Sequence, residues 1–236
     1  MELEESIITK LVNGWLNHLL GYPEGYRLIP DNLVMTAFIV LLAAIFLPLI
    51  RRRFRLQHPG YLQQVLETVV EYLERVIDRY IGAEGRRYLP LLGTLGFFIL
   101  LSSIIGYLPG LSSATANYNT TLALALISFI AYNYAGFKRQ GLLHYFQNLG
   151  GKPLWLIPIR LPIEMVSHLA RILSLSVRLF GNIYGDHLVV LVFFALFPVV
   201  LPIPFIGLSF FVAVIQTYVF VILTVIYLAG ALNPEG

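Results

Sequence analysis

This sequence predicts an all-α integral membrane protein with five membrane helices and a cytoplasmic-side amphipathic helix, the last two membrane helices forming a long, steeply tilted hairpin. Three observations carry that expectation. The 236 residues are 58% hydrophobic and only 12% charged, with a mean hydropathy of +0.77, where a soluble domain carries about 25% charged residues. Apolar runs long enough to cross a bilayer recur along the chain, separated by turn-rich or basic segments. After the first of them lies a stretch of helical period that is too polar to span.

The same composition narrows the function. The net charge of +3 and pI near 9.1 come from Arg residues that flank apolar runs and form no separate basic domain, so they read as orientation signals and not as a nucleic-acid surface. Cysteine is absent, which excludes a disulfide frame, a thiolate metal site and a Cys nucleophile. No G-x-x-x-x-G-K-[ST] loop is present to cradle ATP phosphates. No metal and no cofactor is expected, nor an active site of the chain's own. The acidic start, MELEESIITK, lacks a basic region before an apolar core, so no cleavable signal peptide is expected.

In order, residues 1–30 form an external segment, with a short helix and a turn-rich GYPEGYRLIPD. Residues 33–50 are the first span, closed by RRRFR. That cluster places its end in the cytoplasm and the acidic N-terminus outside. Residues 61–81 carry Leu62, Val65, Leu66, Val69, Leu73, Val76 and Ile77 opposite Glu67, Glu71, Glu74 and Asp78. This amphipathic helix lies on the membrane, packs on its own protein, or docks a peripheral partner, and these uses are compatible. Residues 89–137 form a hairpin of two spans around PGLSSATANYN, ending at Lys138 and Arg139. Asn119 heads a sequon of the common, uninformative kind. Residues 141–158 suit the interface, with Tyr145 and Trp155 at headgroup level. Residues 159–232 form the final hairpin, and the whole, 1–236, reads as a single membrane domain. Five crossings bring every basic cluster and the C-terminus to one side. No internal or inverted repeat of the transporter kind is visible.

The decisive stretch is PIRLPIEMVSHLARILSLSVRLFGNIYGDH, residues 158–187. At about 100° per residue from Arg178, Glu164, Ser167, Arg171, Ser174 and Asn182 all fall within roughly 40°. An Arg in lipid costs at least about 2.5–3.5 kcal/mol, so this stripe faces protein or water. A helix over 161–197 would run roughly 55 Å, against a bilayer core of about 30 Å. It must tilt, bend or break, and Gly181 and Gly185 are the places for a bend.

An arginine guanidinium stays charged at any accessible pH, so Arg178 cannot carry protons. It can hold a fixed positive charge that attracts a carboxylate and opposes a free cation. Glu164 lies about 21 Å back along the helix, too far to pair with it. Asn182, one turn on, can orient the guanidinium without neutralising it, so the countercharge is expected on another subunit. His187 falls about 180° round from Arg178 and some 13 Å along, and imidazole exchanges protons near neutrality. Glu164 on one side, and Asp186 with His187 on the other, are then proton-handling groups separated by a fixed cation. That arrangement resembles two half-channels divided by an electrostatic plug. Gln216, Ser209 and Tyr227 lie near one face of the last helix as partners for the stripe. Blander readings stand beside these. Arg160 and Arg171 snorkel, His168 at about 80° off the stripe is structural, and Gln216 makes a helix–helix hydrogen bond.

SLSVRLFGN at 174–182, followed by Ile183-Tyr184-Gly185-Asp186-His187, resembles the signature of the a subunit of F-type ATP synthases. LPIEMVSHLA before it and AVIQTYVFVILTVIYL after it are similar to the same family, and the likeness covers nearly the whole chain. The resemblance implies a proton-conducting stator subunit of a rotary ATP synthase, functioning in ATP synthesis and hydrogen ion transport. Arg178 would be the essential arginine facing a ring of c subunits. Asn182 and Gln216 would be polar positions near it, Glu164 and Ser167 would belong to the inner half-channel, and Asp186 and His187 to the outer one. Partners implied are the c-ring, b-type subunits of the peripheral stalk, the rest of the complex and membrane lipid. The setting implied is a bacterial inner membrane, or a thylakoid. Two departures stand out. His187 replaces a common Glu, with Ser209 where relatives place its titratable partner, and Arg171-Ile172 replaces Lys-Pro. Two rival readings are a self-contained ion channel or transporter and a structural membrane anchor.

Overall fold

The computed structural model describes residues 6–21, 23, 28–52, 54, 60–108, 110–141, 157–196 and 202–232. The side chains of 50–52, 62, 157–161, 164, 196 and 202 lie outside that description. So do most of segment 141–158, with Tyr145 and Trp155, and the side chains of Arg160 and Glu164.

Among the described residues the chain is helical and carries no strand. Helix α1 is Ile7–Leu20, capped by Ser6, whose Oγ accepts from the Thr9 N–H, and closed by Gly21 at φ 72°. Only glycine takes that left-handed backbone without strain. Helix α2 is Asp31–Arg52, α3 is Tyr61–Tyr80, and a 3₁₀ turn at Ala83–Tyr88 leads into α4, Leu89–Gly106. A second 3₁₀ turn, Ala114–Ala116, precedes α5, Tyr118–Gln140, whose cap Asn117 accepts from the Asn119 N–H. Helices α6, Ile157–Leu196, and α7, Pro202–Leu232, complete the chain.

Five of these are long and apolar enough to cross a membrane: Asp31–Leu49, Ala83–Gly106, Tyr118–Gln140, Met165–Ala195 and Ile203–Leu232. The predicted class, an all-α membrane protein, holds. Helix α6 is continuous through Gly181 and Gly185, so it is not broken at either glycine. At about 1.5 Å per residue, its 40 residues outreach a bilayer core of about 30 Å.

Helices α4, α5 and α7 form the packed centre. Ile77 of α3 is fully buried with Val76 against Leu92 of α4 and Val221, Val225 and Leu228 of α7. This shows how the C-terminal half of the amphipathic helix is used: it packs on its own protein. Val65 and Val69 at the other end stay exposed. A second cluster joins Leu95 and Ile99 of α4, Leu124 and Ala125 of α5, Phe220 of α7, and Ile172, Leu175, Leu179 and Ile183 of α6. Gly96 allows the close α4–α7 approach, since a Cβ there would stand 3.1 Å from Val221 Cγ2.

Polar ties secure one end of the bundle. Gln140 Nε2 donates to the Ala231 carbonyl at 2.8 Å, and Arg139 pairs with Glu84 at 3.0 Å. Arg86 donates two bonds to Asp78, which hold that carboxyl below its ordinary range. Because both pairs are exposed, their contribution to stability is small.

Candidate functional site

The site is built on the α6–α7 hairpin, and three contacts define its register. The Arg171 guanidinium sits 5.3 Å from the Tyr227 ring centroid, Asn182 Nδ2 donates to Gln216 Oε1 at 2.7 Å, and Phe193 stacks on Phe205 at 4.0 Å. From Arg171 to Asn182 to Phe193 the step is 11 residues, and from Tyr227 back to Gln216 and Phe205 it is 11 again. Three turns of helix take about 11 residues, so the antiparallel pair presents the same faces to each other at all three levels. The polar pair thus lies midway between an Arg–aromatic contact and an aromatic stack.

The face of α6 that packs inward carries Ile172, Leu175, Leu179 and Ile183, spaced by three and four residues. Hydrophobic packing on that stripe turns Arg178 outward by helical geometry alone. Arg178 is exposed, as are Ser174, Gly181 and Asn182, while Ser167 and Arg171 are half-buried. The Arg178 contact among the described residues is a long one, Nη2 to Ser174 Oγ at 3.4 Å, and no carboxylate is paired with it there. A Cβ added at Gly181 or Gly185 would have nothing within 4 Å among the described residues. The candidate site is therefore an open face with a guanidinium and two bare stretches of backbone. In the most apolar stretch of the α6 span only 11% of residues are buried, against 39% in those of α4, α5 and α7.

His187 points the other way. Its Nε2 is buried without a hydrogen-bond partner among the described residues, and its ring centroid lies 5.8 Å from that of Tyr107. A Cβ at Gly106 would come within 3.1 Å of that nitrogen, so bare backbone at the end of α4 makes room for the imidazole. Tyr107 also donates its hydroxyl to the Ser209 carbonyl at 2.8 Å, and Ser209 is buried. Asp186 is half-buried beside this group. Gln216 is buried through its bond to Asn182.

The structure thus brings together Asn182 with Gln216, Arg171 with Tyr227, and His187 with Tyr107, whose hydroxyl reaches Ser209. It does not bring His187 to the Arg178 face. Glu164 lies on the α6 backbone, with its side chain outside the described residues. His168 is held by α5: Tyr132 stacks on it, and the Tyr132 hydroxyl lies 3.1 Å from Nδ1. Two tyrosines, 107 and 132, were missed from sequence. Each sits in or beside an apolar run with nothing local to distinguish it, and only the fold supplies its partner.

The model of the family described as ATP synthase A chain matches residues 33–229. The chain belongs to the ATP synthase A chain family. It is 45% identical over 200 residues to ATP synthase subunit a 1 of Syntrophotalea carbinolica, covering 85% of each chain. It is 42% identical over 203 residues to ATP synthase subunit a 1 of Pelobacter propionicus, over 86% of this chain and 88% of that one. ATP synthase subunit a of Helicobacter pylori strain Shi470 is 43% identical over 208 residues, 86% of this chain and 92% of that one. The A chain match spans the open face, the Asn182–Gln216 pair and the Tyr107–His187 contact alike.

Proposed function

We propose that this chain is the proton-conducting stator subunit of a rotary F-type ATP synthase, with Arg178 as its gating arginine. One observation carries the reading: an intramembrane guanidinium stands on an open helix face, unpaired with any carboxylate among the described residues, next to glycines that let a neighbour approach. A charge in that position needs a partner carboxylate from outside the chain, and a ring of c subunits supplies one after another.

The mechanism follows from electrostatics. A proton enters by the outer half-channel past Asp186 and His187, with Asn182 and Gln216 at its inner end, and neutralises a ring carboxylate. The neutral carboxylic acid turns away into lipid. On the far side it meets the half-channel of Glu164 and Ser167, loses its proton to the inner aqueous phase, and is drawn as a carboxylate to Arg178. The fixed cation blocks direct passage of protons between the half-channels. The membrane potential contributes about 2.3 kcal/mol per elementary charge per 100 mV. Arg171, Ser209 and Tyr227 support the path: Tyr227 underlies the Arg171 guanidinium, and Ser209 receives the Tyr107 hydroxyl.

On this reading the chain is one membrane domain. The N-terminus lies outside and the C-terminus lies in the cytoplasm of a bacterial inner membrane. Catalysis resides on other subunits of the complex, and b-type stalk subunits dock at the exposed end of α3. The test is Arg178→Ala in inverted vesicles. Proton pumping driven by ATP is expected to vanish while the ring carboxylate remains, and Arg178→Lys is expected to restore it poorly. Retained coupling in Arg178→Ala would refute the assigned role. Selective conduction by the purified chain alone would favour a self-contained channel.

A further inference from the structure

Helix α1 is packed with its polarity reversed. Thr9, Asn13 and Asn17 are buried, whereas Ile7, Leu11, Trp15 and Leu19, at four-residue intervals, are exposed. The Ser6, Thr9 and Asn13 part of this buried polar face is bonded in detail. Asp31, the first residue of α2, accepts from the Ser6 N–H at 3.1 Å, from Ser6 Oγ at 2.7 Å and from Thr9 Oγ1 at 2.6 Å, and also from Ser112 Oγ in the α4–α5 connection. Asn13 exchanges two bonds with the backbone of Ile29, each 3.1 Å, and the Ile7 N–H donates to the Gly110 carbonyl at 2.9 Å.

In water a helix buries its apolar stripe and presents its polar one. The opposite choice is stable only where the outer medium is apolar, because only there do satisfied internal polar groups and outward Leu, Ile and Trp both lower the free energy. The position of the helix fits that medium. Its N-terminal end is tied to Asp31 at the start of α2 and to Gly110 in the α4–α5 connection, and the exposed apolar surface of α2 continues from Leu33 through Val40, Leu41 and Ile45. Trp15 is of the type that settles at headgroup depth. Lys10 and Gly14, also exposed, lie on the edge of the apolar face, where the Lys10 side chain reaches headgroups.

We propose that α1 is an interfacial membrane helix, seated by Ile7, Leu11, Trp15 and Leu19 in the leaflet at the N-terminal end of α2 and locked there by the Asp31 knot. The occupant of the apolar face is lipid, continuous with the lipid around α2. This goes beyond the proton-conducting role and rests only on the membrane crossing of α2.

The experiment is site-directed spin labelling of the assembled complex in phosphatidylcholine vesicles, with the other subunits free of cysteine, as this chain already is. Labels are placed singly by Leu11→Cys, Trp15→Cys and Leu19→Cys, and by Lys10→Cys and Gly14→Cys, so that loss of one variant leaves the pattern readable. Collisions with oxygen are expected to exceed those with a water-soluble nickel chelate at the first three positions, and the ratio to fall towards the edge at Lys10 and Gly14. Two results would overturn the assignment. Nickel collisions dominating at all five positions would mean water on the apolar face. An immobilised spectrum shielded from both reagents would mean a protein partner there.

Discussion

Asn182 of α6 donates its amide to Gln216 of α7 at 2.7 Å, one helical turn beyond Arg178. Gln216 is buried, so the bond fixes which faces of the two longest helices meet, and Arg178 is held outward beside it. Replacing either residue by Leu is expected to weaken the hairpin by about 0.5–1.5 kcal/mol, with a coupling near 0.6 kcal/mol in a double-variant cycle. Reversible unfolding in mixed micelles measures both. Strict additivity of the two substitutions would show that the bond carries no energy.

The outward face of α6 can be read by chemistry. Val177 is exposed and Leu179 fully buried, although each adjoins Arg178. In native membranes Val177→Cys is therefore expected to crosslink to a small two-helix proteolipid bearing one mid-membrane carboxylate, while Leu179→Cys reacts slowly or unfolds. Capture from position 179 and not from 177 would mean that α6 is rotated in the assembled complex.

Gly181 is exposed, and a Cβ there meets nothing within 4 Å among the described residues. Gly181→Leu is expected to leave insertion and folding of the isolated chain unchanged, within about 0.5 kcal/mol, as for other surface substitutions. ATP-driven pumping is expected to fall at least tenfold as the added side chain separates Arg178 from its neighbour. Protease protection and quenching of a pH dye report the two quantities separately, and undiminished pumping would count against close approach at this position.

Gly106 is the opposite case. A Cβ there would lie 2.5 Å from Ser113 Cβ and 3.1 Å from His187 Nε2. Gly106→Ala is expected to cost about 1–3 kcal/mol through overpacking. Passive proton flux is expected to fall as well, because the His187 ring must move. A thermal unfolding midpoint and a flux assay on one preparation check this, and an unchanged midpoint would show that the end of α4 yields freely.

The spans were legible because bilayer insertion is a local criterion: about 20 apolar residues suffice whatever surrounds them. The polar stripe was legible for a similar reason, since helical geometry alone sets the angles between Ser174, Arg178 and Asn182. What that stripe faces depends on the neighbouring stripe of Ile172, Leu175, Leu179 and Ile183, which packs inward. The helix runs unbroken through Gly181 and Gly185. A glycine lowers helix propensity but does not end a helix whose neighbouring turns are packed.

From its sequence alone this chain is a membrane protein of several apolar helices with an arginine and an asparagine on one face of the longest, because composition and the 3.6-residue period are properties of consecutive residues. Tertiary structure alone decided which groups meet: Asn182 with Gln216, His168 with Tyr132, His187 with Tyr107, and Asp31 with Ser6, Thr9 and Ser112. These pairs are separated by 22 to 81 residues, and no local pattern encodes them. They follow from how five apolar helices share one core.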